Sequence, residues 1–90
     1  KQQKDREETV VDVVGPICES GDFLAEGRPM PLPRAGEYLA VRNVGAYGFT
    51  MASNYNSRCR PAEVMVEDGQ VHLIRKRETY QDLVRGEMIP

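Results

Sequence analysis

Apolar and polar positions along the chain alternate in short β-type runs, most of them bounded by glycine or proline. Thr9 to Val14 is β-branched everywhere but Asp12 and stops at Gly15-Pro16, which is the pattern of a strand with Asp12 at an edge. A polar turn, Ile17 to Asp22, leads to Phe23-Leu24-Ala25, where a short strand resumes. Residues 26–36 hold Pro29, Pro31 and Pro33 with Gly27 and Gly36, and are expected to be a loop. Glu37 to Val44 turns apolar through Tyr38-Leu39-Ala40-Val41 and is expected to form a strand covered on both faces. Gly45 to Gly48 ends it, and Phe49 to Pro61, rich in small and amide side chains, reads as a long irregular connection. Residues 62–76 are two apolar runs around Asp68-Gly69, a pair that favours a primed turn and therefore a β-hairpin. In that hairpin Val64, Val66, Val71 and Leu73 should form an apolar side, with Met65, His72 and Ile74 on a mixed one. Thr79 can cap a short helix that runs through Leu83 and Val84 and ends near Gly86. The pattern predicts an all-β domain, barrel or sandwich-like, with a short C-terminal helix.

Size sets a limit on this picture. At 90 residues only about 60–65% of the unfolded surface can be buried, so one modest core is the most that can form. Residues 1–8 are charged or polar throughout and read as a solvated tail, leaving residues 9–90 as the domain. A net charge of −2 gives no electrostatic case for nucleic acid or an anionic membrane. No apolar run approaches the ~18–20 residues of a spanning helix, and the charged start has no secretion-signal core, so a cytoplasmic location is expected. The first residue is Lys rather than Met, which suggests a fragment of a longer chain. Cys18 and Cys59 lack metal-ligand or redox spacing; a disulfide between them stays open, although a reducing cytosol would keep both as thiols. His72, the lone histidine, has no ligand partner in the pattern and is given no role.

Several blocks agree in order and spacing with one enzyme family. They are Gly15-Pro16-Ile17-Cys18-Glu19-Ser20-Gly21-Asp22-Phe23-Leu24-Ala25, then Gly45-Ala46-Tyr47-Gly48-Phe49, then Asn54-Tyr55-Asn56-Ser57-Arg58 with Arg60-Pro61-Ala62-Glu63-Val64. With the closing stretch Arg75 to Leu83 they span roughly residues 10 to 85, and together they resemble the diaminopimelate decarboxylases, of the alanine-racemase-like (fold type III) pyridoxal-phosphate decarboxylases. The resemblance implies the C-terminal β domain of a two-domain homodimer. An α/β barrel, missing from this chain, would hold pyridoxal phosphate on a lysine, and each active site would be shared across subunits. It further implies that Cys18 reprotonates the carbon left by decarboxylation, that Glu19 reads the distal amino group of the substrate, and that Tyr47 contacts cofactor phosphate and substrate. The implied reaction is decarboxylation of meso-diaminopimelate to L-lysine.

The residue types suit those roles. A thiol can deliver a proton near neutral pH, an ionised carboxylate binds an ammonium by a charge-assisted hydrogen bond, and a phenol donates to phosphate. Gly45 and Gly48 would let the Tyr47 loop approach a ligand closely. Read without the resemblance, Cys18 is a small half-buried apolar residue, Tyr47 and Tyr55 are core aromatics, and Arg58 and Arg60 are surface or interface groups. The sequence departs from the family at Cys59, where proline is usual, and Lys1, Lys4 and Lys76 stand in no context like the cofactor lysine. The isolated chain is therefore expected to be inactive. Two other readings stay open: a domain of a related ornithine, arginine or carboxynorspermidine decarboxylase, and a non-catalytic β interaction module.

Overall fold

The computed structural model describes residues 5–90; the first half of the expected tail, with Lys1 and Lys4, lies outside the described residues. The chain divides into two compact units, Lys1–Ala40 and Val41–Pro90.

In the first unit, strand β1 (Glu8–Val14) pairs antiparallel with β2 (Phe23–Pro31). β1 lies where its β-branched run places it. β2 does not stop at Ala25; it continues through Gly27, Pro29 and Pro31, which corrects the expected loop over 26–36. The register explains how. Pro29 faces Val10 and Pro31 faces Glu8, two residues apart, so both ring nitrogens fall on the side of β2 turned away from β1. No ladder hydrogen bond is lost there. Between Val11 and Val13 the register shifts, and Gly27, at φ 59°, takes up the extra residue as a bulge. Its N–H donates to Asp12 Oδ1 at 2.7 Å, so Asp12 is exposed yet engaged. Before β1, Arg6 forms a two-pronged ion pair with Glu37 (2.7 and 2.5 Å) and donates to the Leu32 carbonyl at 3.0 Å.

The second unit is built on a hairpin of β3 (Glu63–Glu67) and β4 (Gln70–Arg75). Asp68 and Gly69 both have positive φ, 49° and 74°, as a type I′ turn requires. The pairs Val64↔Leu73, Val66↔Val71 and Met65↔His72 give the expected apolar and mixed sides. Ahead of the hairpin come a short helix α1 (Gly48–Met51) and a 3-10 turn (Tyr55–Ser57). After it, α2 (Tyr80–Leu83) starts at Thr79, whose N–H and hydroxyl both donate to the Asp82 carboxylate (2.7 and 3.1 Å). Gly86 follows at φ 84°.

The strand expected over Glu37 to Val44 is not formed. Apolar composition alone cannot make a strand, because its backbone groups need a neighbour, and no described strand lies alongside. Tyr38 is consequently 99% exposed. The all-β class holds, but the strands pair two by two and no closed barrel forms among the described residues. No described residue is buried. The expected core is therefore not completed by this chain.

Candidate functional site

Cys18 and Glu19 sit on the turn that joins β1 to β2, and both are exposed. The turn is closed at its base by Gly15 N–H donating to the Asp22 carbonyl (2.9 Å). The Asp22 carboxylate then folds inward and accepts the Ile17 N–H at 2.8 Å. It occupies the space above Gly15: a Cβ there would lie 2.0 Å from Asp22 Oδ2. Further bonds, Glu19 N–H to Ile17 O (2.8 Å) and Asp22 N–H to Glu19 O (3.1 Å), fix the intervening backbone. The Glu19 carboxylate folds back over Gly21 and accepts its N–H. Cys18 and Cys59 are both thiols, and Cys18 is exposed rather than half-buried in apolar surroundings.

Tyr47 lies in the second unit, immediately before α1, and is 59% exposed rather than packed as a core aromatic. The Val44 carbonyl accepts both the Tyr47 and Gly48 N–H groups at 2.9 Å, and the Tyr47 carbonyl accepts Met51 N–H at 2.9 Å and the Thr50 hydroxyl at 3.1 Å. Among the described residues, nothing beyond the adjoining backbone lies within 4 Å of a Cβ built at Gly45 or Gly48, so the space beside the loop is open. Those two glycines, with Val44, Phe49, Pro61 and Ile74, border an apolar pocket of about 490 Å³.

A second cluster in this unit was missed from sequence. Glu78 accepts from Arg60 N–H (2.7 Å), Asn54 Nδ2 (2.7 Å) and Arg60 Nη1 (3.2 Å), and its own N–H donates to the Arg60 carbonyl (3.1 Å). Arg60, half-buried, also reaches Asn54 Oδ1 (2.9 Å) and the Ala52 carbonyl (3.3 Å). The guanidinium carbons of Arg75 and Arg60 stand 3.6 and 5.5 Å from the centroid of the Phe49 ring. Arg75 is paired in turn with Glu63. The backbone N–H of Arg60, helped by Asn54 and the guanidinium, holds the Glu78 carboxyl below the usual range. In the first unit the Arg6 guanidinium, with the Arg34 N–H, brings Glu37 down to about 2. His72 is exposed on β4 opposite Met65, and no group of three or more metal-ligating side chains gathers among the described residues. No helix among them is long and apolar enough to cross a membrane.

An exposed thiol and carboxylate on one turn and an exposed phenol on another are groups able to donate a proton, bind an ammonium and bind a phosphate. Cys18 and Glu19 belong to the first unit and Tyr47 to the second, and neither loop carries a lysine for the aldehyde. The family itself emerges from comparison with known proteins. Residues 1–45 match the family model "Pyridoxal-dependent decarboxylase, C-terminal sheet domain". Over 83 residues, 92% of the chain, it is 58% identical to the diaminopimelate decarboxylase of Aquifex aeolicus, covering 20% of that protein. It is 58% identical over 87% of its length to the Pseudomonas aeruginosa diaminopimelate decarboxylase, covering 19% of it. The solved diaminopimelate decarboxylase of M. jannaschii in complex with L-lysine superposes with a TM-score of 0.85 at 44% identity, over 93% of this chain and 19% of that one. The chain thus spans about one fifth of the length of the relatives it matches.

Proposed function

The chain belongs to the family of C-terminal sheet domains of pyridoxal-dependent decarboxylases, and from that premise we propose that it completes the active site of a diaminopimelate decarboxylase. The observation that carries this reading is the breadth of the likeness. Relatives of that name in bacteria and archaea share 49–58% identity with it over most of its length, for example those of Aquifex aeolicus and Archaeoglobus fulgidus.

In this reading residues 9–90 form the sheet domain, residues 1–8 lead into it, and an α/β barrel outside this chain carries the cofactor lysine. Two such subunits pair in the cytoplasm, each contributing to the other's site. Bound pyridoxal phosphate supplies an electron sink for the carbanion left when carbon dioxide departs. This chain's residues bind and deliver protons around it. Tyr47 Oη donates to a phosphate oxygen, and the open space at Gly45 and Gly48 admits that group close to the backbone. Glu19, whose carboxylate is held beside the Gly21 N–H, accepts from the distal ammonium of the substrate. Cys18 Sγ, at the exposed tip of the β1–β2 turn, gives its proton to the substrate carbon. A plain monoamine acid would leave the Glu19 carboxylate without its cation, which is the basis of substrate choice.

Turnover of meso-diaminopimelate, ornithine, arginine and carboxynorspermidine by the full-length enzyme tests the reading. Diaminopimelate should be preferred over the other three, and a monoamine acid such as 2-aminopimelate, which leaves Glu19 without its cation, should turn over about a hundredfold more slowly or worse. A preference for ornithine or arginine would move the chain to a related decarboxylase.

A further inference from the structure

Arg60 ties together parts of the second unit that are distant in sequence. Its guanidinium meets the Ala52 carbonyl, Asn54 Oδ1, Glu78 Oε1 and the Phe49 ring. Phe49 lies inside α1 and Ala52 directly follows it, so two of these contacts fall on the turn that Tyr47 opens. Tyr47 is fastened to the same turn through its carbonyl, which holds Met51 and Thr50. Gripping Phe49 and Ala52 therefore fixes the backbone from which the phenol projects. Glu78 fixes Arg60 in turn, accepting from its backbone and its side chain at once.

Resting on the reading of Tyr47 as a cofactor- and substrate-contacting residue, we propose that Arg60, anchored by Glu78, is a positioning residue that sets where the Tyr47 phenol stands. Neither side chain touches the substrate in this account. A planar guanidinium is required because one head serves three acceptors and a ring face in fixed directions, which a lysine ammonium cannot do. Arg75 grips Phe49 independently and closer. Loss of the Arg60 fork should thus displace the turn without unfolding the hairpin.

The test uses the full-length decarboxylase with Arg60→Lys and Glu78→Gln, each alone and combined with Tyr47→Phe. The measurements are kcat, KM and the dissociation constant of pyridoxal phosphate by titration. Misplacement of a contacting group should lower kcat and weaken pyridoxal phosphate by about tenfold in each single variant. In the Tyr47→Phe background the same changes should add less than about twofold, because both act through one hydroxyl. Full additivity, or lowered thermal stability with kcat and cofactor affinity intact, would make the cluster a structural tie only and overturn the proposal. Should Arg60→Lys fail to fold, Glu78→Gln carries the same test without change of size. Tyr47→Phe with unaltered kcat and cofactor affinity would strike the underlying reading of Tyr47, and the proposal with it.

Discussion

A carboxylate can sit above a glycine Cα only while no Cβ is there, and this is how Asp22 organises the turn that carries Cys18 and Glu19. Gly15→Ala should push Asp22 off the Ile17 N–H. Hydrogen exchange of the 15–22 backbone in the full-length enzyme should then accelerate several-fold, with β3 and β4 unchanged; unaltered exchange would mean the carboxylate is not needed. Ionisation makes a second prediction. Glu37, lowered from 4.5 to about 2 by the Arg6 guanidinium and the Arg34 N–H, is bound more tightly when charged. Its contribution is complete above pH 4.5 and is lost as the pH falls toward 2. Glu78 and Asp82 act in the same sense, Asp82 chiefly through the Thr79 N–H. A carboxyl NMR titration should place the Glu37 midpoint near 2, and one near 4.5 would show the Arg6 pair open in solution. At this scale the sequence named Cys18, Glu19 and Tyr47 only through resemblance. Nothing in local pattern marks them, nor the Arg60–Glu78 tie, whose members stand eighteen positions apart.

Elements held up best where their signals are local. The Asp68-Gly69 turn and the Thr79 cap depend on neighbours within four residues, and both formed as expected. Gly69→Ala, strained at φ 74°, should cost about 1 kcal/mol of hairpin stability, read from the denaturation midpoint of the full-length protein. A midpoint unchanged or raised would contradict the turn assignment. Reading failed where an element's state depends on what lies beside it. Pro29 and Pro31 look like breakers until β2 is known to have an unpaired outer side, where their missing N–H groups cost nothing. They also deny that side to strand addition. Replacing both by alanine restores two donors on that edge and should raise self-association, measured by sedimentation across concentrations; no change would show that the edge is already covered. The Glu37 to Val44 segment errs the other way: it has strand-like composition but no strand alongside it to pair with.

The molecule as a whole carries more apolar surface than it can hide. One face of the hairpin, Val64, Val66, Val71 and Leu73, is exposed at 55–67%. An apolar face of this kind calls for a cover. The proposed barrel and partner subunit would supply it, consistent with a chain that spans one fifth of its relatives. The most direct test of that account is carbon dioxide release from carboxyl-labelled meso-diaminopimelate by three preparations supplied with pyridoxal phosphate: this chain alone, the barrel alone, and the two coexpressed. Release should come only from the coexpressed pair and should fall by at least about a hundredfold when the pair carries Cys18→Ala. Equal release by the barrel alone, or a coexpressed pair that binds but releases none, would contradict it.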